Sequence, residues 1–180
     1  MNKKVIVLIV ILSFTSILYL CYASPFGATR GGEGPHFFVR PITLEIIKVI
    51  NTRRASDNIA TLREMLSLTE LARQYCILVA DGNKLSHRYA TEQEKTEVLL
   101  DLLDRTDEIE LRPRIYSYYE LLAVTTDNEA VAQNTITILD KSPSHSMGLW
   151  NTNAKYIGVY CIPKDGLVYT TIYIGTIKEK

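Results

Sequence analysis

The sequence predicts an α+β domain. Three observations carry that prediction: apolar residues recur at helical spacing in four segments, a β-branched and aromatic run interrupts them, and the chain closes with two alternating runs around a proline–glycine turn. Helices and an antiparallel hairpin sharing one core imply an α+β or layered α-β-α arrangement. At about 100–200 residues per domain, a chain of 180 residues holds one domain and an appendage.

The first helix is read from "ITLEIIKVINTRR", where Ile42, Ile46, Val49 and Ile50 form one apolar stripe. Ser67-Leu68-Thr69-Glu70 has the form of a capping box and opens a second helix with Leu68, Leu71, Ala72, Tyr75 and Val79 on its inner face. Asp81-Gly82 ends it. Thr91 with Glu94 caps a third helix bearing Val98, Leu99, Leu102 and Leu103, so Ser86-His87 falls in the linker between helices. Tyr116 to Thr125 reads as a strand with Glu120 in its middle, and a carboxylate in a strand asks for a partner. Thr126 with Glu129 is expected to cap a fourth helix carrying Ala132, Ile136 and Leu139. A polar loop containing His145 follows. The terminal hairpin runs from Tyr156 to Ile162, turns at Pro163-Lys164-Asp165-Gly166, and returns from Leu167 to Gly175. Tyr156, Tyr160, Tyr169 and Tyr173 are placed on one side of it, to be covered by a layer of helices.

Ahead of the domain, Lys3 and Lys4 precede an apolar run from Val5 to Leu20, the order of a secretory signal and short for a span of roughly 20 residues. Two endings compete. Cleavage after Ala23 would release the domain, whereas Leu18-Tyr19-Leu20-Cys21 resembles the loose lipoboxes of some bacteria, spirochaetes in particular, and would lipidate Cys21. The lipoprotein is favoured, with residues 1–20 as signal peptide and 21–41 as a glycine- and proline-rich tether ("SPFGATRGGEGP"). An uncleaved anchor is the third ending. Cys76 and Cys161 would remain, either as a disulfide or as two buried thiols.

Composition gives 47% hydrophobic residues, enough for a core, and 20 basic against 20 acidic side chains. That balance offers no field to draw in nucleic acid. Ser142, Ser144 and Ser146 around His145, with Asp140 near, raise a serine-nucleophile reading. No nucleophile-elbow sequence surrounds them, and backbone turning accounts for them better.

Order and motifs together resemble a family. "SPSHSMGLWNTNAKYIGVY" is similar to the bacterial "SPGHRANIL…IGVG" signature of the CAP superfamily, also called SCP-like or cysteine-rich secretory protein-like domains. Ser86-His87 matches that family's serine–histidine pair, and Glu120 the acid of its glycine–glutamate–asparagine motif. The resemblance spans about Ile42 to Gly175, so residues 42–180 form the expected domain. Leu139 stands where tryptophan is usual, Ser144 replaces glycine, and the second acid of the eukaryotic tetrad has no counterpart.

The resemblance implies a three-layer α-β-α sandwich with a small antiparallel sheet, and a cleft where His87, Glu120 and His145 meet. Two imidazoles and a carboxylate could hold a divalent ion such as zinc, weakly here because the motif is incomplete. The function implied is binding at the cell surface or outer membrane through the lipid anchor, with a lipid, a sterol or a host or envelope protein as partner. The runner-up is a metal-dependent hydrolase, protease or esterase, with His87 and His145 as ligands and Glu120 as ligand or base.

Overall fold

The computed structural model describes residues 36–106, 108–111 and 115–177. The expected signal peptide, Cys21 and the tether as far as residue 35 lie outside the described residues. Helix α1 spans His36–Ser56, so residues 36–41, read as the end of the tether, already belong to it. Pro41 sits inside this helix and leaves one position of its ladder without an N–H donor.

A two-residue strand β1 (Arg63–Glu64) leads into α2 (Leu66–Asp81), followed by α3 (Glu92–Arg105) and a 3-10 turn at Ile109–Leu111. Next come β2 (Ile115–Thr126), α4 (Val131–Asp140), α5 (Pro143–Leu149), β3 (Ala154–Lys164) and β4 (Leu167–Ile177). The sheet has the order β1-β3-β4-β2. It is antiparallel except where β1 runs parallel to β3, a pairing too short to leave a sequence signal.

The capping expectations divide. Thr91 and Glu94 form the reciprocal box predicted for α3. At α2 the expected Ser67–Glu70 box is absent. Met65 is the N-cap, and Glu108, from beyond α3, takes the Leu66 and Ser67 amides at 2.8 and 2.9 Å and the Ser67 hydroxyl at 2.6 Å. Glu70 pairs with Arg73 instead, at 2.6 Å. The cap expected from Thr126 and Glu129 is also replaced: Asn128 Oδ1 accepts from the Ala130 amide, and α4 starts at Val131.

Side-chain alternation on β3 and β4 divides the core. Ile157, Val159 and Cys161 with Val168, Ile172 and Ile174 pack against Ile46, Ile50, Ile136 and Leu149 of α1, α4 and α5. The opposite face approaches α2 so closely that a Cβ on Gly158 would lie 2.1 Å from the Leu68 carbonyl carbon. The four hairpin tyrosines share this second face, and Tyr173 meets Tyr75 of α2 edge to face at 6.5 Å. Helix α3 packs beside α2, completing three layers.

Cys76 and Cys161, the two cysteines among the described residues, are buried free thiols. Cys161 faces the α1 layer and Cys76 bonds the Tyr169 carbonyl from the α2 layer, so the sheet stands between them and the disulfide alternative falls. Burial pushes the Cys161 thiol up to about 11 and the Cys76 thiol higher still.

Candidate functional site

The site forms where the loop after α2, the strand β2 and the helix α5 come together. Strand β2 lies at the edge of the sheet, bonded only to β4 among the described strands. Its residues Tyr119 and Glu120 point to opposite faces. Tyr119 turns toward α5, where Gly148 packs against it, and a Cβ on that glycine would come within 2.9 Å of Tyr119 Cβ and 3.0 Å of its ring. Glu120 turns toward α2 and α3.

His87 is held by the loop that carries it. The Tyr75 hydroxyl donates to the Ser86 carbonyl at 2.9 Å and accepts from the Tyr89 amide at 3.3 Å, while Ser86 Oγ accepts from the Arg88 amide at 3.2 Å. The ring then places Nδ1 2.6 Å from Glu120 Oε1. If Nδ1 carries the proton in this bond, Nε2 is left as the free nitrogen. The His87 side chain is 52% exposed and that of Glu120 only 6%.

His145 comes from α5, not from a loop as the polar sequence suggested. Pro143 occupies the first turn, where its missing N–H costs nothing, and Ser142 precedes it as the N-cap residue. The helix brings the His145 ring to 5.9 Å from the His87 ring, centroid to centroid. Partial burial, and secondarily the neighbouring His87, lower the His145 pKa below 6.5. The structure thus sets His87 against Glu120 and the His145 ring beside the His87 ring at the edge of the sheet.

Two residues of the site were not identified in the sequence. Lys95 of α3 has a side chain with no exposed area and sets its ammonium 2.7 Å from Glu120 Oε2. It also reaches Glu92 Oε1 at 2.9 Å and the His87 carbonyl at 3.3 Å, and lies 4.5 Å above the Tyr75 ring. Burial alone would lower its pKa, but hydrogen bonds to Glu120 and Glu92 outweigh that and raise it. The Tyr173 hydroxyl donates to the same Glu120 oxygen. Burial and that carboxylate hold the phenol far above its usual range. A signal for Lys95 existed: it stands one turn before Leu99 on the apolar stripe of α3, where a lysine is out of place without an anion. Tyr173 had none beyond its place on the inner face of the hairpin.

Around this core, Tyr118 meets Tyr173 edge to face at 5.3 Å and donates to Glu92 at 3.2 Å. Burial pushes its pKa up to about 12. The serines do not assemble as nucleophiles: Ser142 and Ser144 bond each other at 3.1 Å, and Ser146 donates to Asp140 at 3.0 Å. Asp140 also accepts from Trp150 at 2.7 Å and Arg53 at 2.6 Å, tying α1, α4 and α5 together away from the histidines.

The expected metal-ligand set of His87, His145 and Glu120 is not laid out as one. Among the described residues, no group of three or more histidine, cysteine, aspartate or glutamate side chains is placed to hold a metal ion. Both Glu120 oxygens are already engaged, one by an imidazole and the other by an ammonium and a phenol.

No family model matches the chain, and no curated protein matches it. Solved structures do. An outer surface protein of Borrelia burgdorferi aligns over 77% of this chain and 94% of its own, with a TM-score of 0.60 and 20% identity. An extracellular SCP-domain protein of Bacillus anthracis aligns over 81% of this chain with a TM-score of 0.55 and 20% identity. A cysteine-rich secretory protein of Staphylococcus aureus aligns over 81% with a TM-score of 0.51 and 13% identity. The chain spans 45% and 42% of the last two, so it corresponds to part of each. The fold is CAP/SCP-like.

Proposed function

We propose that the chain is an exported binding protein of the CAP fold, anchored through lipid on Cys21, whose cleft at His87, Glu120 and His145 takes a ligand without turning it over. The ligand is a lipid or sterol with a polar head, or a side chain of a host or envelope partner. The observation that carries the binding reading is Glu120. With His87 on one oxygen and Lys95 and Tyr173 on the other, three of its roughly four acceptor sites are taken up in fixing the walls of the cleft, which favours a held binding surface over a base or a metal ligand. The imidazoles stay at the surface as adaptable polar groups. Exposed Leu85 and Met147 stand on the same two segments that carry them and offer apolar contact nearby.

Export is supported by the Lys3-Lys4 and Val5–Leu20 pattern, and by solved structures of the same fold described as outer surface, extracellular or secretory proteins. Fatty-acid labelling should mark the wild type and miss Cys21→Ala, and a mature N-terminus at Ser24 would overturn the anchor. For the cleft, a screen of lipid and sterol vesicles against wild type and His87→Ala/His145→Ala is the test. Binding that the double variant loses supports the reading. Hydrolysis of a peptide or ester that depends on added metal would replace it with the hydrolase.

A further inference from the structure

We propose that Lys95 is the resident cation of this cleft and makes it a site that excludes divalent metal ions. The inference rests on reading the His87–Glu120–His145 cluster as the binding cleft, and it adds what that cleft selects against.

Proteins enclose a cation with oxygen atoms, and the surroundings of Lys95 Nζ are such an enclosure. Two carboxylate oxygens, Glu120 Oε2 at 2.7 Å and Glu92 Oε1 at 2.9 Å, and one backbone carbonyl, His87 O at 3.3 Å, match the three donors of an ammonium. The Tyr75 ring closes a further side at 4.5 Å. The Lys95 side chain is wholly enclosed, so the ammonium cannot swing out to water as surface lysines do.

A divalent ion shared by His87, His145 and Glu120 would have to take Glu120 from this ammonium or stand beside it. Either course is unfavourable. The first takes from a buried charge its one buried carboxylate and leaves it the exposed Glu92, and the second sets like charges close together where water screens them poorly. His87 belongs to the same network, with Nδ1 bonded to Glu120 and its carbonyl to Lys95, so a cation on its other ring nitrogen would draw on the carboxylate that Lys95 already uses. The cleft is therefore fitted for a neutral or anionic polar group, recognised by the exposed imidazole nitrogens, and Lys95 is the residue that sets this preference.

The test is calorimetric titration of the full chain with zinc chloride at pH 7.5, on wild type, Lys95→Ala and His87→Ala/His145→Ala. The wild type should bind zinc no more tightly than the double-histidine variant, and Lys95→Ala should bind it at least about tenfold more tightly than wild type. Equal affinity of wild type and Lys95→Ala would overturn the proposal, as would tight stoichiometric binding by wild type that the double-histidine variant loses. Because Lys95→Ala leaves a buried carboxylate and could fail to fold, the wild type alone gives a second reading by NMR. At millimolar zinc the ring signals of His87 and His145 should stay in place, and their displacement would sink the idea. If vesicle binding fails while zinc is still excluded, the ligand assignment is lost and the role of Lys95 stands.

Discussion

The Lys95 ammonium lies 2.7 Å from Glu120 Oε2, with the lysine side chain fully enclosed and the glutamate 6% exposed. Removing one partner of such a pair strands the other, so Lys95→Met and Glu120→Gln should each cost about 3–5 kcal/mol in urea denaturation at pH 7. The double variant should cost less than the sum, by about 1 kcal/mol or more. Strictly additive losses would show that the two do not act as a pair. The pH dependence has a fixed sign: a lysine pKa raised on folding gives stability that is complete below the ordinary 10.5 and is lost as pH climbs through the folded value. Lys95→Met should lack that alkaline decline.

Glu108 reaches the first amides of α2 from beyond α3, a contact absent from the local pattern. A carboxylate on two helix N–H groups and a hydroxyl stabilises both ends of the connection. Glu108→Ala should cost about 1–2 kcal/mol. Glu70→Ala, which loses the partly exposed contacts with Arg73 and Gln74, should cost less, within about 1 kcal/mol. The reverse order would restore the Ser67–Glu70 box.

These two cases mark how far the sequence could be read. Periodicity located α2, α3, α4, β2 and the hairpin, because each buries one face and its spacing records that face. The Thr91–Glu94 cap was legible because both partners lie within one turn. Glu108 was not, since it is 41 residues from Ser67 and only the folded chain makes them neighbours. The same distinction runs through the cleft. His87, Glu120 and His145 came from a resemblance in motif order, while Lys95 and Tyr173 depend on α3 and β4 being brought to β2. The helix α5 was hidden by its serines, proline and glycine, which read as loop until Pro143 is recognised in its first turn.

Gly158 and Gly166 separate steric from conformational demands on glycine. At Gly158 a Cβ would stand 2.1 Å from Leu68 C and 2.3 Å from Thr69 N, atoms of the α2 backbone that cannot rotate aside. Gly158→Ala should push α2 off the sheet and cost about 3 kcal/mol or more. Gly166 has open space around it but a φ of +73° in the hairpin turn, so Gly166→Ala should cost about 1 kcal/mol. Thermal melts of the two variants check the order, and comparable losses would mean that α2 can yield at this contact.

The His145 prediction ties stability to the cleft. Its pKa is lowered first by burial and second by the facing His87, beyond which stand Glu120 and Lys95. A histidine with a folded value below the unfolded 6.5 takes its proton first in the unfolded chain. Its contribution is therefore complete above 6.5, declines as pH falls toward the folded value, and levels off below it. His145→Gln should remove this part of the acid decline. His87→Gln removes only the secondary cause, so the His145 midpoint, followed by the NMR shift of its Cε1 proton, should rise yet remain below 6.5. A midpoint unchanged by His87→Gln would mean that the two rings, 5.9 Å apart, do not sense each other's charge.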